Sequence, residues 1–172
     1  MPEHSDLNKE IRDLARQDEL DWAHDPARAR KKAMDFLARR EHSAHELRQK
    51  LAKAGFDADV AAAAIDRLAD DGLQSDARYV EALVHSRISQ GKGPNRIRAD
   101  LAQRGVAEGL VEAALAESGA DWRKLASEQR TRKFGAALPA DFKEKARQMR
   151  FLQYRGFEPD DVRAAVETAA EA

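Results

Sequence analysis

The chain has 172 residues, with 30 Lys or Arg against 31 Asp or Glu and a formal net charge of −1. This balance excludes a bulk polycation, and the absence of cysteine excludes disulfides, thiolate metal sites and a cysteine nucleophile. The low content of aromatic residues, Gly and Pro favours helices over sheets. No stretch approaches the ~20 apolar residues of a transmembrane helix, and residues 1–10 are polar and acidic, so we expect a cytoplasmic protein without an export signal.

The first 28 residues are predicted to form an acidic N-terminal extension, because they contain four basic and eight acidic side chains. Leu7, Ile11 and Leu14 recur at helical spacing but form only a thin apolar stripe. We therefore expect one helix before the main body of the protein.

A repeated helix ending is the most informative pattern in the chain. The sequence Leu-x-x-x-Gly-apolar occurs at residues 51–56, 101–106 and 152–157. In a Schellman ending, Gly accepts the left-handed backbone that stops a helix, and the apolar residue after it folds back onto the preceding turn. The three glycines are 50 and 51 residues apart, a period typical of helical repeats. The pattern therefore predicts three tandem units.

Each unit is predicted to contain three helices. Ser43 and Glu46 are spaced as a capping box, and Asp76 and Asp121 are suited to cap the helices that follow them. The apolar face of the penultimate helix is expected to contain Phe142, Ala146, Met149 and Leu152. We predict an all-α fold, an elongated right- or left-curved array of three tandem three-helix repeats at residues 29–74, 75–120 and 121–172, preceded by the N-terminal helix.

The third repeat has an excess of positive charge, because residues 121–157 contain ten basic and four acidic side chains. An anionic partner can dock on such a surface, although basic residues also serve simply to solvate exposed helix faces. The basic residues are Arg123, Lys124, Arg130, Arg132, Lys133, Lys143, Lys145, Arg147, Arg150 and Arg155. Among the aromatic residues between them, Tyr154 is the best candidate for an exposed ring that stacks on a base.

Catalytic and metal-binding patterns are not found in the sequence. His42 and His45 lack the spacing of a zincin site, and a turn that caps a helix is the favoured interpretation. Residues 91–94 (GKGP) lack the spacing of a Walker loop and are interpreted as a connector between helices. We expect neither an enzyme nor a bound metal or cofactor.

Several segments resemble the RecX family, which modulates the RecA recombinase. They are residues 41–51 (EHSAHELRQKL), 76–80 (DARYV), 91–101 (GKGPNRIRADL), 131–135 (TRKFG) and 150–157 (RFLQYRGF), together with Asp121-Trp122 and Leu138-Pro139. The resemblance extends over about residues 29–168 and implies a fold of tandem three-helix repeats.

The resemblance also implies a function. The protein would bind RecA filaments on single-stranded DNA, lie in the helical groove, and inhibit ATP hydrolysis, strand exchange and the co-protease activity behind the SOS response. It would thereby regulate recombination and DNA repair. Apart from the resemblance, we expect a monomer that makes a weak direct contact to DNA and no contact to a membrane. The candidate contacts are the basic residues and Tyr154 of the third repeat, with Arg87, Arg96 and Arg98 of the second.

Three alternatives stay open in the sequence. Arg96 and Arg98 can instead pair with Asp100 or Glu81 on a helix surface. The protein as a whole can be a nucleic-acid-binding helical array that acts without RecA, or an adaptor for another helical protein. Direct binding to phosphates weakens steeply with salt, which distinguishes a DNA-binding array from a filament-binding protein.

Overall fold

Helices account for all the regular secondary structure in the part of the chain that the structure describes. This computed structural model describes residues 3–169, apart from the side chains of residues 3, 4, 19 and 20. The outer ends of the predicted first and last segments, residues 1–2 and 170–172, lie outside the described residues. The helices are α1 (Glu3–Ala23), α2 (Pro26–Leu37), α3 (Ala44–Lys53), α4 (Ala58–Asp70), α5 (Asp76–Ser89), α6 (Pro94–Ala102), α7 (Glu108–Glu117), α8 (Trp122–Phe134), α9 (Phe142–Tyr154) and α10 (Pro159–Glu167).

Within residues 3–169, the nine helices after α1 form three groups of three, each with its own apolar core. The chain divides into two compact units, Met1–Asp76 and Ala77–Ala172. The first unit has one core, formed by residues that include Leu47, Leu51, Ile65 and Leu68. The second unit has two cores, one including Val80, Val84, Ile97 and Leu101 and the other including Ala126, Leu152, Val162 and Val166. The predicted all-α fold of three tandem three-helix repeats is confirmed, and the residue boundaries of the repeats stay predictions.

Two of the three predicted glycine endings have full Schellman geometry. Phe56 donates its backbone N–H to the Leu51 carbonyl at 3.1 Å, and Phe157 donates to Leu152 at 3.2 Å. Gly105 also has a positive φ of 68°, but Val106 makes no such bond in the described chain. The second repeat therefore ends its middle helix less tightly than the other two.

Side-chain caps form at two of the three helix starts where the sequence predicts them. The Ser43 hydroxyl accepts from the Glu46 N–H at 3.0 Å, and the Asp121 carboxylate accepts from the Lys124 N–H at 3.0 Å. The expectation that Asp76 caps α5 is wrong. Its carboxylate accepts instead from the Ala44 N–H at 2.8 Å and from the Gln74 side chain at 2.9 Å. Asp76 therefore holds the end of the first unit against the start of α3.

The expected N-terminal helix is present as α1, and only its end packs on the first repeat. The Trp22 ring stacks on Phe56 with 4.4 Å between centroids. Leu7, Ile11 and Leu14 are more than half exposed. None of the helices in the described residues combines the length and the apolar character that a membrane span requires.

His42 is a buried titratable side chain in the first repeat, 2% exposed. Its Nδ1 lies 2.9 Å from the Arg40 carbonyl, so Nδ1 carries the proton and donates it. Nε2 is buried and has no hydrogen-bond partner in the described chain. Burial lowers the pKa of His42, and the nearby Arg40 and Lys50 act in the same direction, against the Arg40 backbone hydrogen bond and Glu46. The folded protein therefore holds this imidazole in its neutral form.

Acidification from about pH 7.5 to about pH 5.5 will lower the free energy of unfolding through His42. The unfolded chain binds a proton at this position near the ordinary histidine pKa of about 6.5, whereas the folded chain binds it only at lower pH. Stability is therefore retained above that value and lost as the pH falls below it. Urea unfolding at both pH values measures the change. His42→Gln will reduce the pH dependence; a pH dependence equal to that of the wild-type protein would contradict the assignment.

Candidate partner-binding surface

One face of α9 presents three cations and an aromatic ring. Asp141 caps this helix by accepting from the Glu144 N–H at 2.8 Å, and Leu152 faces the core. Lys143, Arg147, Arg150 and Tyr154 are all exposed and follow the i, i+4, i+7, i+11 spacing of one helix face. We call these four residues the α9 basic face. It extends for about 16 Å along the helix.

The charges of the α9 basic face are only partly compensated. Arg147 lies 3.6 Å from the Glu144 carboxylate and stacks over the Phe134 ring at 5.0 Å. Lys143 and Arg150 make no ion pair with any described residue. Such exposed, uncompensated cations are available to an anionic partner.

The remaining basic candidates of the third repeat are distributed over the surface of its helices. Lys145 pairs with Glu167 at 2.7 Å, and Arg123 lies 3.9 Å from Asp161. Three further cations on α8 are exposed and have no ion pair within residues 3–169, namely Lys124, Arg132 and Lys133.

Arg130 corrects the expectation of a surface contact, because its side chain is fully buried. The guanidinium donates to the carbonyls of the loop after α8, to Ala137 at 3.0 Å and to Gly135 and Ala136 at 3.3 Å. It also lies 3.5 Å from the Gln148 side-chain oxygen. A buried charge is tolerated when hydrogen bonds replace its lost hydration, and here backbone carbonyls supply them. Arg130 shapes the α8–α9 loop instead of binding a partner.

The second and third repeats meet where α9 ends and α6 begins. The Gly93 N–H donates to the Arg155 carbonyl at 2.8 Å, and the Asn95 N–H donates to the Gly156 carbonyl at 2.9 Å. Backbone N–H groups at the start of a helix have no partner within that helix. Here those at the start of α6 donate to the carbonyls that follow α9. We call this contact the Gly93–Gly156 seam. Residues 91–94, predicted to connect helices, do so and also form one side of the seam.

Glycine is required at the seam because the two backbones touch. A Cβ on Gly156, whose φ is +92°, would lie 2.4 Å from the Arg96 backbone nitrogen. A Cβ on Gly93 would lie 2.4 Å from the Gly156 carbonyl carbon. Arg155 adds to the contact by donating to the Gln90 carbonyl at 3.0 Å. The seam fixes α9 relative to the second repeat, and the Arg96 guanidinium lies 5.6 Å from the Tyr154 ring at the end of the α9 basic face.

Cations of the second repeat converge on one carboxylate, Asp100. Arg87 and Lys92 each lie 3.1 Å from it, and Arg96 lies 3.6 Å away. Burial alone would raise the pKa of Asp100, but hydrogen bonds from Lys92 and Arg87 hold it below its usual value. Three cations surround one carboxylate, so the cluster has a net positive charge. Lys92 was not among the predicted site residues. Its position two residues before Pro94, the first residue of α6, was the available signal that it lies near that helix.

Arg98 joins three helices. It donates to Glu112 of α7 at 2.7 Å and to Glu158, which precedes α10, at 3.1 Å. These partners, of which the Glu112 hydrogen bond is the strongest, raise the pKa of Arg98. The alternative pairing with Asp100 is therefore found for Arg96. Arg98 instead binds Glu112 in the second repeat and Glu158 in the third.

The expectation for Phe142 is also wrong. It was assigned to the apolar face of α9, but its side chain is 86% exposed. It is the first residue of α9, where the helix has not yet reached the core. Its position directly after the capping Asp141 was the available signal.

The fold defines a class of protein, a tandem helical-repeat protein, and one of its surfaces carries basic and aromatic side chains. Family models for the first, second and third three-helix domains of RecX match residues 29–68, 75–115 and 122–166. The chain belongs to the RecX family of regulatory proteins, as its sequence motifs had indicated.

Individual relatives agree with this assignment. The regulatory protein RecX of Halorhodospira halophila is 46% identical over 139 residues, which are 81% of this chain and 86% of that protein. That of Ectopseudomonas mendocina is 48% identical over 135 residues, 78% of this chain and 90% of the relative. In fold, the chain is similar to the crystal structure of RecX from Lactobacillus salivarius, with a TM-score of 0.69 at 21% identity over 84% of this chain and 96% of the other.

Gly156→Ala will lower the free energy of unfolding by about 3 kcal/mol or more, because the new Cβ meets the α6 backbone and the φ is unfavourable. Gly119→Ala is the matched control, with a positive φ and open space around it. The control will cost only about 1 kcal/mol. Urea unfolding of the two variants measures the difference, and equal losses would show that the seam contributes nothing.

Arg130→Ala will destabilise the protein by about 3 kcal/mol, because it leaves a cavity and removes the donors of three loop carbonyls. Arg132→Ala, at an exposed position in the same helix, will change stability by no more than about 0.5 kcal/mol. Chemical unfolding monitored by circular dichroism compares them. A similar small effect at both positions would contradict a structural role for the buried guanidinium.

Proposed function

We propose that this protein binds RecA filaments on single-stranded DNA and inhibits their ATP hydrolysis, strand exchange and co-protease activity. In this role it regulates recombination, DNA repair and the SOS response from the cytoplasm, as a binding protein and not as a catalyst. Membership of the RecX family of regulatory proteins supports the regulatory part of the proposal.

The observation that carries the proposal for this chain is the α9 basic face. Two of its cations, Lys143 and Arg150, are exposed and make no ion pair with the described residues. The face lies next to a seam that fixes its orientation in the second unit. A RecA–DNA filament offers anionic phosphate and protein carboxylates to such a face. Weak contacts made to successive filament subunits add through effective concentration.

A second candidate function is binding to single-stranded nucleic acid without RecA. Tyr154 is 77% exposed and carries Arg96 beside its ring, an arrangement suited to stacking on a base. The two functions differ in their response to salt. Binding through phosphates alone weakens steeply as salt rises, whereas filament binding requires RecA and retains the part that comes from packed protein contacts.

Charge reversal of the two uncompensated cations tests the proposal. ATP hydrolysis by RecA on single-stranded DNA is measured while the chain is titrated below the RecA concentration. The wild-type chain will inhibit at these substoichiometric levels, because one bound molecule affects many subunits. Lys143→Glu with Arg150→Glu will raise the half-inhibitory concentration by about tenfold, through lost attraction and added repulsion.

The matched control is Arg48→Glu with Lys53→Glu, which reverses two exposed cations on α3 and changes net charge equally. It will inhibit as the wild-type chain does. If the α9 variant inhibits as well as the control while remaining folded, the α9 basic face is not the contact. If excess single-stranded DNA abolishes wild-type inhibition, the second candidate function is favoured.

A further inference from the structure

The α8–α9 loop exposes an apolar surface that the proposed function does not use. Phe142 is 86% exposed and Leu138 is 39% exposed. Residues 134–140 (FGAALPA) contain no charge, in a chain of which 35% is charged. Burying such an aromatic ring against a partner is strongly favourable, because the ring contributes a large contact area.

This loop is held in place. Arg130 donates to three consecutive loop carbonyls, those of Gly135, Ala136 and Ala137. The Asp141 carboxylate then caps α9, so that the residue after it, Phe142, begins a regular helix. A side chain presented by a fixed backbone loses less conformational freedom on binding than one on an unrestrained loop.

The charges beside the loop that have no ion pair in the described part of the chain are positive. Arg132 and Lys133 lie in the last turn of α8, Lys143 follows Phe142, and none of the three has an ion pair in the described part of the chain. The nearby carboxylates are already engaged, since Asp141 is the helix cap and Glu144 lies 3.6 Å from Arg147. The apolar surface is therefore accompanied by free cations and not by free anions.

We propose that Phe142 and Leu138 form an apolar anchor that inserts into an apolar pocket on a protein partner, and that carboxylates border this pocket. Leu138 lies four residues before Phe142, and a branched aliphatic side chain is buried better by a pocket than by a flat base, which favours a protein over a nucleic acid. The inference rests on the proposed function, because it takes the protein partner to be a RecA subunit of the filament. An aromatic anchor in a desolvated pocket is the common form of a binding hot spot.

The test uses the full chain and RecA filaments assembled on single-stranded DNA. Phe142→Ser will raise the half-inhibitory concentration by about tenfold or more. Leu138→Ser will raise it by a smaller factor, because less of its surface is available. Met34→Ser, at a position 43% exposed in α2, is the matched control and will have no effect. The effect of Phe142→Ser will persist at raised salt, where that of charge reversal on α9 shrinks.

The outcomes separate the anchor from the function. If the wild-type chain inhibits RecA and Phe142→Ser inhibits equally well, the anchor is wrong and the proposed function stands. If the wild-type chain neither binds nor inhibits the filament, both are wrong. Equal weakening of binding to single-stranded DNA without RecA would make Phe142 a base-stacking residue and overturn the anchor. A wild-type dimer that Phe142→Ser converts to a monomer in sedimentation would assign the surface to a second copy of the chain and overturn it as well.

Discussion

The direct contact between the end of α9 and the start of α6 is the constraint on which the second unit depends. Every helix leaves amide groups unbonded at its start and carbonyl groups unbonded at its end. At the Gly93–Gly156 seam, the N–H groups of Gly93 and Asn95 at the start of α6 donate to the carbonyls of Arg155 and Gly156, which follow the last residue of α9. Because the contact is between backbones, it tolerates no Cβ at either glycine. Two repeats that share such a contact present their side chains in one fixed arrangement.

The sequence was sufficient to predict the repeats because their signals are local. A glycine that ends a helix, an apolar residue after it and a capping side chain at the next start all act within a few residues. Ser43, Asp121 and Gly156 illustrate this, since each makes the local hydrogen bond that its position predicts. The period of the glycines then gives the number of units without any knowledge of how the units pack.

The predictions that were wrong are of two kinds. One concerns contacts between residues far apart in sequence, and the other concerns side chains that are buried or exposed against the usual preference of their residue type. Asp76 is suited to cap α5, but the unbonded amide at the start of α3 competes for it. Arg130 resembles a surface cation, yet loop carbonyls replace its hydration inside the protein. Phe142 fits the apolar period of α9, but periodicity does not show where the core ends along a helix. Thus the buried charge of Arg130 holds the α8–α9 loop, and the exposed ring of Phe142 follows that loop, both against the usual preference of their residue types.

Footprinting of lysine side chains by an amine-reactive label, read by mass spectrometry, tests most directly the claim that the third repeat is the contact surface. The chain is labelled alone, with single-stranded DNA, with RecA, and with the RecA filament on that DNA. The account predicts that Lys143 and Lys133 lose reactivity when the filament is present, while the exposed Lys31 and Lys53 of the first repeat keep theirs. Unchanged reactivity at Lys143 on the filament, or equal protection by single-stranded DNA alone, would contradict it.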